Sequence, residues 1–167
     1  MLPPSTGIVS FLFSDIEGST RLWEDHPDAM RPALSAHDEV MRNAIESNDG
    51  FVFKTIGDAF CAAFAAPLAA LNAALAAQQK LQASQSDSEE VSLRVRMALH
   101  SGNVEFRDKD YFGPPLNRVA RLLSAAHGEQ TLLSAETHDL LGADLPDGAS
   151  LLDLGEHRLR DLRSGRI

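Results

Sequence analysis

Internal disulfides are excluded by arithmetic, because the 167-residue chain holds one cysteine, Cys61. A lone thiol fits a reducing compartment. Positive charge is also scarce: 15 Lys and Arg stand against 24 Asp and Glu, a formal net charge of -9. That balance argues against nonspecific binding to nucleic acid or to an anionic membrane. An anionic small substrate would need a locally basic pocket or a metal ion. Met1–Ser10 lacks the basic start of a secretory signal, and the apolar run from Ile8 breaks at Asp15. Ala59–Ala77 is uncharged over a length that could span a bilayer, but it is mostly alanine and is interrupted by Pro67 and Asn72. A buried strand followed by a buried helix is the expectation there. The chain therefore reads as cytoplasmic, with no membrane or nucleic-acid partner. H-E-x-x-H, G-x-x-x-x-G-K and G-x-G-x-x-G are all missing, and the six histidines show no metal-ligand spacing. No repeat and no linker divides the chain, so one domain over 7–162 is expected, with short tails at 1–6 and 163–167.

What is present is an alternation of strand and helix patterns. Ile8–Ser14 predicts a buried strand. Pro27 and Asp28 open a helix on which Met30, Leu34, His37, Met41, Ala44 and Ile45 share a face, and Asn48-Asp49-Gly50 ends it. Phe51–Thr55 and Ala59–Phe64 flank Ile56-Gly57-Asp58 as a hairpin. Pro67 begins a second helix with a stripe of Leu68, Leu71 and Leu75. After the polar loop Ser84–Glu90, Val91–His100 alternates apolar and polar and reads as a half-exposed strand. Ser101-Gly102-Asn103 turns it into a short strand, Val104–Phe106. Asp108–Pro115 reads as a loop and Leu116–Ala126 as a third helix. Gln130–Leu133, a short helix from Ser134 and a hairpin around Gly155 complete the chain. This order predicts an α+β domain: a ferredoxin-like antiparallel sheet flanked by helices.

Four features carry chemistry. Asp15 and Asp58 each stand where a predicted strand meets a glycine turn, on elements expected to be neighbours in one sheet. Either each caps its turn, or the two hold a divalent cation between them, which relieves their repulsion. The turn Ile16-Glu17-Gly18-Ser19-Thr20 is either a plain capped helix start or a cradle of backbone N–H groups for an anion. In "LNRVARLL", Leu116, Val119, Ala120 and Leu123 form an apolar stripe with Asn117 and Arg121 beside it and Arg118 pointing elsewhere. That pair is either a solvated face or a grip on ribose and phosphate. Lys54, inside an apolar run, either guards an edge strand or pairs with an acceptor. Cys61 and His37 read as core.

Five segments occur in order: "FLFSDIEGSTRLWE", "FKTIGDAFCAAF", "RVRMALHSGNVE", "DYFGPPLNRVARLL" and "LGEHRLRDL". Together they resemble the catalytic domain of the class III nucleotidyl cyclases, in the branch typical of bacterial adenylate cyclases. The resemblance covers roughly Gly7 to Leu162. It implies that the enzyme turns ATP into 3′,5′-cyclic AMP and pyrophosphate. It also implies two divalent cations, Mg²⁺ or Mn²⁺, held by Asp15, Asp58 and the backbone of Ile16. By the same resemblance Ile16–Thr20 takes the triphosphate, with Glu17, Gly18, Ser19 and Thr20 lining it. Lys54 and Asp110 select adenine, Asn117 orients the ribose, and Arg121 stabilises charge on the reacting phosphate. Arg96 falls on a phosphate-contacting arginine, and Arg160 on a position where lysine is usual. The resemblance further implies a head-to-tail homodimer with two shared sites: Asp15 and Asp58 come from one chain, Lys54, Asp110, Asn117 and Arg121 from the other. The competing expectations are a non-catalytic nucleotide-sensing or dimerisation module and a guanylate cyclase.

Overall fold

The structure is a computed structural model and describes residues 3–4, 7–85, 90–159 and 165–167. In chain order the elements are β1 (Ile8–Ile16), α1 (Ser19–Asp25), α2 (Pro27–Ser47), β2 (Phe51–Ile56), β3 (Ala59–Phe64), α3 (Pro67–Ala83), β4 (Val95–Asn103), β5 (Glu105–Arg107), β6 (Asp110–Phe112), α4 (Pro114–Ala125), β7 (Thr131–Leu133), α5 (Ala135–Leu141), β8 (Glu156–His157) and β9 (Gly165–Arg166). The main sheet runs β2-β3-β1-β4-β7. Its first four strands are antiparallel throughout, which is the ferredoxin-like arrangement. β7 then joins β4 in parallel.

Both faces of this sheet are covered, because its strands alternate. Leu12 and Ile16 of β1 enter one apolar cluster with Met30, Met41 and Ile45 of α2 and Leu71 and Ala74 of α3. Val9 and Phe11 enter another with Ala63, Ala98, Tyr111 and the α4 residues Val119, Leu122 and Leu123. α2 buries Met30, His37, Met41 and Ile45, the face that the sequence predicts. His37 is core, with its Nδ1 2.9 Å from Asp38 Oδ1.

Several elements differ from expectation, each for a physical reason. The strand predicted as half-exposed at Val91–His100 begins only at Val95, extends to Asn103 and is almost wholly buried. β1 and β7 cover its edges, and its two faces enter the two apolar clusters, Val95, Met97 and Leu99 on the α2–α3 side and Ala98 on the α4 side. The predicted turn at Ser101–Asn103 is part of this strand. The short strand after it is Glu105–Arg107, and the expected loop Asp108–Pro115 contains its hairpin partner β6. Positive φ at Asp108 and Lys109 makes the turn, a conformation that no glycine announces. On α3, Ala70, Ala73, Ala74 and Ala77 are fully buried while Leu68 and Leu75 are half-buried. Small side chains let the helix lie close to the sheet, and Gln78 Nε2 donates to the Val95 carbonyl at 2.9 Å. On α4, Ala120 is exposed and Leu122 takes its place in the buried stripe. Of the terminal hairpin, Gly155 precedes β8 rather than forming the turn.

A buried polar network ties β4 to α5. His100, 4% exposed, has its Nδ1 2.6 Å from Ser134 Oγ, and Ser101 Oγ bridges Ser10 at 2.8 Å and Thr137 at 2.9 Å. Burial pushes the His100 pKa down to about 4, although Glu136 nearby works the other way. Between pH 6.5 and 4 the unfolded chain takes up a proton that the folded chain refuses. Stability is therefore lost as the pH falls through that window, by on the order of 2–3 kcal/mol from this group. Denaturant titrations from pH 7 to 4 should show the stability difference between wild type and His100→Gln shrinking as the pH falls. A difference that does not change with pH would show that His100 titrates alike in both states.

Candidate active site

One face of the sheet, the α4 side, gathers most of the predicted site. Cross-strand partners share a face, so the register settles which residues stand together. Asp15 of β1 lies opposite Arg96 of β4. One row further into the sheet, Phe13 lies opposite Cys61 of β3, and Cys61 lies opposite Lys54 of β2.

Asp15 and Arg96 meet as a fork. Arg96 Nε donates to Asp15 Oδ1 at 2.6 Å, and Arg96 Nη2 donates to Asp15 Oδ2. Both side chains are about a quarter exposed, 26% for Arg96 and 24% for Asp15, so water screens the pair only in part. The hydrogen bonds that Arg96 donates to Asp15, together with the charges of Asp15, Glu17 and Asp58, raise the pKa of the Arg96 guanidinium above its ordinary value. Asp58 is thus within electrostatic reach of the same guanidinium. It sits in the β2–β3 turn, and continuing the β1–β3 register sets it beside Ile16. The two predicted metal-binding aspartates stand at neighbouring strand ends.

The loop beyond β1 is fastened to the sheet rather than hanging free. Glu17 N donates to the Arg94 carbonyl at 2.8 Å. The Glu17 carboxylate accepts from Gly128 N at 3.1 Å and pairs with Arg94 at 3.4 Å. Gly128 is required by this packing, since a Cβ there would lie 2.6 Å from both Arg94 Cβ and Glu17 Oε2. Gly18 follows at φ 66, a left-handed conformation that glycine adopts without strain, and serves as the N-cap of α1. Ser19 and Thr20 begin that helix, whose first N–H groups have no partner within it.

Lys54 and Asp110 are joined within one chain. Lys54 Nζ donates to Asp110 Oδ2 at 2.7 Å, across 56 positions of sequence. Asp110 Oδ1 also accepts from Tyr111 N at 2.8 Å. The Lys54 hydrogen bond is the main cause holding the Asp110 carboxyl below the usual carboxylate range. A bulge in β2 makes this pairing possible. The register shifts between Val52 and Lys54, so Phe53 and Lys54 both turn to the α4 side. Phe53 packs on Phe11, Phe13 and Tyr111 at centroid distances of 5.9, 6.2 and 4.9 Å, respectively from itself. Lys54 crosses to the β5–β6 hairpin. Cys61 lies beneath the pair, and burial raises its thiol pKa to about 11, which makes it an inert wall. β2 is also the edge of the sheet, so both sequence readings of Lys54 hold at once.

α4 carries Asn117, exposed, and Arg121, half-buried, one turn apart. Arg118 points elsewhere, toward Glu136 at 3.5 Å. Arg160 lies outside the described residues. The structure thus joins Asp15 with Arg96 and Lys54 with Asp110, and it places Asn117 and Arg121 on a separate helix. Residues that the sequence did not single out as site members are Arg94 and Gly128, which hold Glu17, and Tyr111, which holds Asp110. The polar alternation at Arg94, Arg96 and His100 was the one signal available for the first of these.

The donors suit a hard cation. The carboxylate oxygens of Asp15 and Asp58, and the Ile16 carbonyl expected beside them, would offer the ligand chemistry of Mg²⁺ or Mn²⁺. The Arg96 guanidinium already stands among them as a cation, which shows that this pocket of charge favours positive occupancy. Among the described residues no group of three or more His, Cys, Asp or Glu side chains forms a metal cluster, so a cation here rests on the two aspartates and backbone.

The fold is that of a nucleotidyl cyclase catalytic domain, as comparison with known proteins shows. The adenylate and guanylate cyclase catalytic domain family matches residues 2–162, and the chain belongs to it. An uncharacterized protein of Mycobacterium tuberculosis is 42% identical over 163 residues, covering 96% of this chain and 54% of that protein. The chain therefore spans about half the length of such curated relatives. An adenylate cyclase of Neurospora crassa is 34% identical over 184 residues, covering 96% of this chain and 8% of that protein. Among solved structures, one from an analysis of Trypanosoma brucei adenylate cyclases in their monomeric state superposes with a TM-score of 0.85 at 28% identity, covering 99% of this chain and 88% of that one. No helix among the described residues is long and apolar enough to cross a membrane.

Proposed function

We propose that this domain is an adenylate cyclase that converts ATP to 3′,5′-cyclic AMP and pyrophosphate, at sites shared by two copies arranged head to tail. The observation that carries the choice of adenine is the Lys54–Asp110 pair. Its ammonium can donate to the adenine ring N1, and its carboxylate, kept ionised by that lysine, can accept from the 6-amino group. Guanine presents a donor at N1 and an acceptor at position 6, which leaves both groups facing their own kind. A site built on such hydrogen bonds discriminates strongly, because the wrong base leaves polar groups unpaired.

The reaction needs the ribose 3′ oxygen to attack the α-phosphorus in line while pyrophosphate leaves. Asp15 and Asp58, with the Ile16 carbonyl, would hold two divalent cations, Mg²⁺ or Mn²⁺, which when bound acidify the 3′-hydroxyl and neutralise the triphosphate. Asn117 orients the ribose, and the loop Ile16–Thr20 offers N–H groups to the phosphates. Arg121 supplies charge where the reacting phosphate gains it, a contribution of roughly 2–4 kcal/mol by analogy with single oxyanion donors. Arg96 and Arg160 complete the grip on the phosphates. Shared sites receive support from apolar side chains left in water beside the base pair: Ile56 is 64% exposed on edge strand β2 and Phe112 is 40% exposed next to Asp110, a surface that a second copy would cover. The single buried thiol and the acidic balance fit a cytoplasmic domain.

Purified protein given Mn²⁺ and either ATP or GTP tests this directly. Cyclic AMP should form, and ATP should be turned over at least about a hundredfold more efficiently than GTP. Lys54→Ala should erase most of that preference. Nucleotide binding without any cyclic product would establish the sensing module instead, and preferential cyclic GMP would establish a guanylate cyclase.

A further inference from the structure

Resting on that reading of the site, we propose that Arg96 is a latch on the metal site: it holds both oxygens of Asp15 while the site lacks nucleotide, and it releases them only when a triphosphate offers its guanidinium another acceptor. Binding of cation and binding of nucleotide are then one coupled event rather than two independent ones.

The argument starts from valence and charge. Arg96 Nε and Nη2 address different oxygens of Asp15, so the fork occupies the carboxylate from one side with two charge-assisted hydrogen bonds. A divalent cation arriving alone must either share Asp15 with a guanidinium, which repels it, or displace that guanidinium into water. The surroundings make displacement unfavourable. Asp58 and Glu17 also draw Arg96 toward this place, while Glu17 is itself held by Gly128 and Arg94. Arg96 rises from a central strand flanked by β1 and β7, so its backbone is fixed and any release is a rotation of the side chain. Phosphate oxygens accept the same planar fork as a carboxylate does. A triphosphate entering with its cation therefore exchanges partners: Arg96 passes from Asp15 to phosphate, and Asp15 passes from Arg96 to the cation. The idle site would be protected from metal alone, and Asp15 and Asp58 would be spared mutual repulsion before substrate arrives.

Mn²⁺ alone is the probe, measured by the loss of its free-ion spin-resonance signal at constant ionic strength and without nucleotide. Wild type should bind weakly, and Arg96→Gln should bind about tenfold more tightly, the scale of one charge-assisted hydrogen bond. Arg96→Lys keeps the charge but loses the fork, and it should show part of that gain. Adding a nonhydrolysable ATP analogue should tighten Mn²⁺ binding far more in wild type than in Arg96→Gln. Unchanged affinity in both variants would overturn the latch. A gain in Arg96→Gln with none in Arg96→Lys would also overturn it, since long-range charge would then explain everything. Asp15→Asn should abolish Mn²⁺ binding. If it does not, the metal assignment itself fails, a result distinct from failure of the latch alone.

Discussion

Asp15→Ala and Asp58→Ala should each lower cyclic AMP formation by at least about a thousandfold while the protein remains folded. The size follows from what each aspartate would do. Both cations would depend on the same two carboxylates, so removal of either one disturbs activation of the attacking hydroxyl and neutralisation of the leaving pyrophosphate together. Folding survives because neither side chain supports the core. Asp15 lies one residue before the end of β1, whose buried apolar members are Val9, Phe11, Leu12 and Ile16, and Asp58 lies in a turn. The variants differ in one respect. Asp15→Ala strips Arg96 of its fork partner, whereas Asp58→Ala leaves that fork whole and removes only a weaker attraction, so the first should change Arg96's surroundings more before substrate is added. Initial rates across a Mn²⁺ titration, with circular dichroism as the control for folding, provide the check. Normal metal-dependent turnover in either variant would remove the basis of the proposed mechanism.

The sequence shows why Asp15 and Asp58 could be picked out and why other residues could not. A carboxylate that ends an apolar strand beside a glycine turn is visible in one dimension, and so is the hairpin around Gly57. The α2 face, the β2–β3 hairpin and the Ser134 start of α5 were legible for the same reason: their signals are local. The partner of Asp15 was not. Arg96 is 81 positions away and is brought there by strand register. Lys54 shows a subtler limit. Strict alternation from Val52, which joins the α2–α3 side cluster, would send Lys54 to that same face, away from Asp110. The bulge reverses this by an irregularity that leaves no residue signature. The burial of β4 is not legible because alternating polarity is ambiguous when a polar residue faces a buried network: His100 and Ser101 are polar and enclosed. The turn at Asp108 and Lys109, made without glycine, hid a strand for a comparable reason.

Mixing inactive Asp15→Ala with inactive Arg121→Ala should restore up to about a quarter of wild-type activity, the largest gain that any pair of damaged chains should give. In a head-to-tail dimer each site would take its aspartates from one chain and Arg121 from the other. Both homodimers then lack something at each of their two sites. In the hybrid, one site gathers both defects and the other gathers none. Random association puts about half of the dimers in hybrid form, and half of the hybrid sites are whole, which sets the ceiling. The sheet face gives this prediction its physical footing. Lys54 and Asp58 are four residues apart around one tight turn, between β2 and β3, and Asp15 stands near that same end of the sheet, two residues beyond Phe13, which shares the Cys61 row with Lys54. The base and the triphosphate are the two ends of ATP, so one chain would have to serve both ends from a single hairpin. Across an interface, the base end of one chain can face the acidic end of its partner. Rates measured after unfolding and refolding the two variants together, with native mass spectrometry to confirm hybrids, decide the matter. Recovery near a quarter would establish shared sites, and hybrids with no more activity than their parents would mean that each chain works alone.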